Sequence, residues 1–116
     1  VRPSLGAMRG TALGGAQVRR RAARVDANQP QIVEALRKCG ATVQPLHTVG
    51  AGVPDLLVGY RGRTALVEVK DGARPPSERR LTADQQTWHG QWQGGTLAIV
   101  CDVESALRVL KTMEPA

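Results

Sequence analysis

Asp55, Glu68 and Lys70 are the residues most able to do chemistry. Each interrupts an otherwise apolar stretch, Val53-Pro54-Asp55-Leu56-Leu57-Val58 in one case and Ala65-Leu66-Val67-Glu68-Val69-Lys70 in the other. In an extended strand successive side chains alternate between faces. Ala65, Val67 and Val69 therefore point one way while Leu66, Glu68 and Lys70 point the other. An acid and a base on one face of such a strand are costly to bury unless they meet a partner, an ion or water. A turn at Arg61-Gly62-Arg63 would fold the two stretches into a hairpin and bring Asp55 to the Glu68 and Lys70 end. Two carboxylates and an amine then converge.

Two carboxylates with the remaining positions left to water and a phosphate oxygen suit Mg²⁺, which prefers oxygen ligands and seldom takes a full protein cage. A metal held there would stabilise charge on phosphorus and help generate hydroxide from bound water. Lys70 would orient or deprotonate that water, or compensate phosphate charge. Phosphodiester hydrolysis uses all three groups.

The elements that must position them can be read from caps, breakers and periodicity. Asn28 is placed to cap a helix running to about Lys38, with Pro30 in its first turn, Gln31 at the capping-box position and Ile32, Val33, Leu36 and Cys39 as its apolar face. Gly40 is its stop. Ala41 to Thr48 suits an edge strand, since Pro45 removes a ladder donor. After the Val49-Gly50-Ala51-Gly52 turn come strands Val53–Tyr60 and Thr64–Lys70, then a Pro-, Gly- and charge-rich loop from Asp71 to Arg80. Thr82 with Gln85 three residues on is a second capping box, and Trp88 and Trp92 stack one turn apart on the helix it opens, which Gly94-Gly95 ends. Thr96 to Cys101 is an apolar strand and Val103 to Lys111 a last helix, with Ala106, Leu107 and Leu110 buried. The predicted order is helix, three strands, helix, strand, helix: an α/β domain with a mixed sheet flanked by helices.

Pro54-Asp55, a hairpin, then Glu68-Val69-Lys70 resembles the signature of the PD-(D/E)xK nucleases, and the element order resembles their restriction-endonuclease-like αβββαβ core with a C-terminal helix. Gly52-Val53-Pro54-Asp55-Leu56, Val67-Glu68-Val69-Lys70 and Leu81-Thr82-Ala83-Asp84-Gln85 with Trp88 extend the likeness to the VRR-NUC, Holliday-junction-resolvase-like branch. The resemblance covers residues 28–116 and implies a Mg²⁺- or Mn²⁺-dependent endonuclease acting on structured or branched DNA. It implies Asp55 and Glu68 as metal ligands, the backbone carbonyl of Val69 as a third, and Lys70 as the catalytic lysine. Glu34 stands where many members place a further acid that touches the metal through water, although an ordinary solvent-facing glutamate would look the same. Gln85 matches the family's helix glutamine near the active site and also has a purely structural use in its capping box. The resemblance supports a homodimer.

The chain has 116 residues, enough for one domain that buries roughly two-thirds of its unfolded surface. It carries a formal charge of +6, and residues 1–27 hold six arginines against Asp26 alone, so the rest is nearly neutral. This segment reads as a flexible basic arm in which Arg19, Arg20 and Arg21 are candidates for phosphate contact, as are Arg74, Arg79 and Arg80 in the later loop. Solvated charge runs look the same. DNA is the expected partner, with no membrane: no apolar run approaches the roughly 20 residues of a span and no signal-peptide h-region is visible, so the cytoplasm is the expected compartment. Cys39 and Cys101 are far apart, with no CxxC pair, and read as small buried apolar residues. His47 and His89 read as bystanders, because hard Mg²⁺ prefers oxygen, and both tryptophans read as core. A surface hairpin with a weak Glu68–Lys70 pair, a DNA-binding accessory module without catalysis, and a small redox or nucleotide-binding domain are the competing readings. The last lacks both a CxxC and a Gly-rich phosphate loop after a strand.

Overall fold

Apolar residues in four short segments and apolar stripes on two helices dictate one layered arrangement. The computed structural model describes residues 25–115. In chain order it contains helix α1 (Gln29–Lys38), strands β1 (Thr42–Pro45), β2 (Leu56–Tyr60) and β3 (Arg63–Val69), a 3₁₀ turn (Pro76–Glu78), helix α2 (Ala83–Gln91), strand β4 (Thr96–Val100) and helix α3 (Val103–Met113). The sheet order is β1-β2-β3-β4, with β1, β2 and β3 antiparallel and β4 parallel to β3 through the α2 crossover. This is the α/β order read from the sequence. The basic arm lies outside the described residues up to position 24, and Arg19, Arg20 and Arg21 with it.

Register puts Val43, Val58, Leu56, Ala65, Val67, Val69 and Val100 on one face of the sheet, where they meet Ile32, Val33 and Leu36 of α1 and Ala106, Leu110 and Met113 of α3. Fully burying a side chain such as Ile32, Leu36 or Leu56 stabilises the fold by about 1.5–3 kcal/mol each. The opposite face carries Glu68 and looks toward α2, which has no buried residue and is held by its capping box and polar links. Trp88 and Trp92 do stack there, 5.2 Å apart, yet neither is core: Trp88 is half-buried and Trp92 is 38% exposed. On this face of the sheet Leu57 and Ile99 are themselves exposed.

Boundaries shift where tertiary partners outcompete local signals. Asn28 does not cap α1; its side-chain amide donates instead to the carbonyls of Lys70 (3.2 Å) and Cys101 (2.9 Å), tying the helix start to the ends of β3 and β4. β2 begins at Leu56 rather than Val53, leaving Asp55 just outside the ladder. The hairpin turn is two residues, Arg61 and Gly62, both at positive φ (52° and 79°), so Arg63 already pairs with Tyr60. α2 stops at Gln91, before the two glycines. Cys39 is exposed at the end of α1 and Cys101 half-buried, so neither is a fully buried apolar filler. Among the described residues no helix is long and apolar enough to cross a membrane.

Candidate active site

The β2–β3 register, Leu56 opposite Val67, sets Asp55 opposite Glu68 when carried one residue further. Lys70 N–H donates to Val100 O in β4, so the N–H of Val69 points toward β2, whose ladder has already ended. Asp55 fills that gap: its Oδ2 accepts from Val69 N at 2.7 Å, which fixes the carboxylate in the mouth of the hairpin. The loop before it holds Gly50, Ala51 and Gly52 all at positive φ (71°, 56° and 86°). A Cβ on Gly52 would land on the backbone carbonyl of Asp84, so this glycine lets the loop close against the first turn of α2.

Glu68 is 1% exposed. Its Oε2 accepts from Gln85 Nε2 at 2.9 Å and lies 3.6 Å from Lys70 Nζ. Lys70 Nζ in turn donates to Gln85 Oε1 at 2.7 Å, and the same oxygen accepts from Thr82 N at 2.9 Å. Gln85 therefore closes the capping box and also joins the acid to the base. Burial, followed by the neighbouring Asp55 carboxylate, pushes the Glu68 carboxyl up to about 8, against the opposing pull of Lys70.

These groups open onto a cleft of about 290 Å³ lined by Asp26, the Gly50–Val53 loop, Asp55, Glu68, Val69, Lys70, Thr82, Asp84 and Gln85. A larger groove of about 560 Å³ runs along α1, but it holds neither of the paired acids, so size does not identify the site. Glu34 lines that other groove, exposed and 3.5 Å from Lys38, and is not brought to Asp55 and Glu68. Two further acids line the cleft, Asp26 and Asp84, and the Asp26 carboxyl is raised by burial and by Asp55 and lowered by Lys70. Sequence reading passed over Asp26 because it sits in the arginine-rich segment and outside any element; the only signal was its place three residues before α1. His89, read from the sequence as a bystander, lies against Glu68: its side chain is 12% exposed, its Nε2 is 3.9 Å from Glu68 Oε1, and burial and then Lys70 lower its pKa.

Of the candidate phosphate contacts, Arg74 is engaged by Glu78 (2.7 Å) and Asp71 (4.0 Å), Arg79 is half-buried in a neighbouring cleft, and Arg80 is exposed. No family model matches the chain, and comparison with curated proteins and with solved structures gave no match. The site must speak through its chemistry. Among the described residues no three His, Cys, Asp or Glu side chains stand together as a ready-made metal cage. Mg²⁺ and Mn²⁺ do not need one: a pair of carboxylates, a backbone carbonyl and water suffice, and the acids of this cleft supply oxygen donors alone. Glu68 Oε1, buried and without a hydrogen-bond partner, is the kind of atom a cation would satisfy. The donor set fits the metal.

Proposed function

We propose that this chain is a metal-dependent DNA endonuclease of the PD-(D/E)xK type with a restriction-endonuclease-like core, related to the VRR-NUC branch and directed at branched, flapped or junction DNA. One observation carries the reading. Asp55, Glu68 and Lys70, singled out by residue type and spacing, lie around one cleft with Gln85, singled out by the resemblance, which joins Lys70 Nζ to Glu68 Oε2.

Asp55 and Glu68 would hold Mg²⁺ or Mn²⁺, with the carbonyl of Val69 beside them and Asp26 at the rim. When bound, the metal supplies charge stabilisation at the phosphate and acidifies a water. The protein's own groups do the rest. The Val69 N–H keeps the Asp55 carboxylate in place, and Gln85 holds Glu68 and Lys70 in a fixed relation. Lys70 Nζ has protons to donate after one bond to Gln85, and it can orient the attacking water or neutralise a phosphate oxygen.

The test is cleavage of labelled branched, flapped and linear DNA by the full chain with Mg²⁺, Mn²⁺ or EDTA, beside Glu68→Ala and Lys70→Ala. Metal-dependent cutting that both variants lose is expected. DNA binding without cutting under every metal would replace this reading with that of a non-catalytic accessory module.

A further inference from the structure

Gln85 and His89 are one helical turn apart on α2 and so share a face, the one turned toward Glu68. Gln85 takes one oxygen of that carboxylate. The other, Oε1, is buried with no hydrogen-bond partner, and so is His89 Nε2, 3.9 Å away. A buried polar atom left unmatched is costly, so two such atoms facing each other are poor candidates for coincidence. The last side-chain torsion of a glutamate is broad, and pivoting the carboxylate on its Gln85-bound oxygen would bring Oε1 within hydrogen-bond reach. Trp88 stands edge to face with the ring at 6.4 Å.

We propose that His89 is a positioning residue for Glu68, donating from Nε2 to Oε1 so that two residues of α2 hold the two carboxylate oxygens in the orientation that receives the metal. His89 does not line the cleft, so it acts there only through Glu68. The proposal rests on the metal-site reading above. Partners of a ligating carboxylate fix its direction, and losing one typically weakens metal binding about 10–100-fold.

The experiment measures Mn²⁺ binding to the full chain by electron paramagnetic resonance of the free ion, in wild type, His89→Leu and His89→Gln, with thermal melts to check folding. His89→Leu keeps bulk and loses the donor, and it should bind Mn²⁺ at least about tenfold more weakly. His89→Gln keeps an N–H and should recover much of that loss. Equal Mn²⁺ binding in wild type and a folded His89→Leu overturns the role of His89 alone, and equal losses in both variants reduce it to ring packing. Absence of binding in wild type itself overturns the metal site and this inference with it. If His89→Leu does not melt cooperatively, the imidazole ¹⁵N shifts of the Mg²⁺-saturated wild type decide: the proton on Nε2 supports the donor role, and the proton on Nδ1 overturns it.

Discussion

Gln85 donates through Nε2 to Glu68 Oε2 at 2.9 Å while its own Oε1 accepts from Lys70 and from the Thr82 backbone. One side chain thus starts a helix and couples the acid to the base. Gln85→Ala removes a capping partner and strands a buried carboxylate, and should cost about 1–3 kcal/mol in urea unfolding. Gln85→Glu keeps length but sets a second carboxylate against Glu68, so it should lose cleavage more completely than stability. A Gln85→Ala variant as active as wild type would break the link between the capping box and the site.

Asp26 and Glu34 offer a direct contrast, because only one of them reaches the cleft. Asp26→Asn should raise the Mg²⁺ concentration needed for half-maximal cleavage by roughly tenfold, as expected for loss of a charged group beside the metal. Glu34→Ala removes an exposed pair with Lys38, worth about 0.3–0.5 kcal/mol, and should leave that concentration unchanged. The reverse pattern would return Glu34 to the site.

The element order and the central trio were legible because strand alternation and hairpin return are rules of local geometry, which Ala65 to Val69 obeys, with Lys70 one residue past the strand end. What was not legible depended on distant partners. Asn28 carries a strong capping signal, yet two carbonyls 42 and 73 residues away claim its amide. Trp88 and Trp92 have the spacing of a buried stripe, but burial requires a covering layer, and no residue of α2 is buried. Asp26 reaches the cleft through packing of the pre-helix segment, which no spacing in the chain encodes, whereas His89 carried a signal in its place one turn after Gln85 on α2.

The Glu68 carboxyl, pushed up to about 8 by burial and then by Asp55, fixes a sign for the pH dependence of the metal-free protein. Its unfolded value is 4.5, so between the two the folded state keeps a proton that the unfolded chain has released. Stability from this group is complete below the lower value and is lost as pH rises through the upper one. Melting temperature in EDTA should therefore fall from about pH 5 to about pH 8, and Glu68→Gln should flatten that fall. Saturating Mg²⁺, which binds the ionised carboxylate, should raise the melting temperature more at pH 8 than at pH 5. Scanning fluorimetry with and without metal checks both; a wild-type slope retained in Glu68→Gln would assign the titration to another group.

Gly52 and Gly62 both sit at positive φ, 86° and 79°, but their surroundings differ. A methyl group on Gly62 would meet nothing within 4 Å, so Gly62→Ala should cost only the backbone term, about 1–2 kcal/mol. On Gly52 the same group would strike the Asp84 carbonyl, and backbone cannot swing aside as a flexible side chain would. Gly52→Ala should therefore cost more than Gly62→Ala in urea unfolding. It should also push the start of α2, and Gln85 with it, away from Glu68, weakening Mn²⁺ binding. Gly62→Ala should leave metal binding intact, since the turn lies at the far end of the hairpin from Asp55. Equal effects of the two substitutions on stability and on Mn²⁺ would mean that the Gly50–Val53 loop does not set the position of the helix.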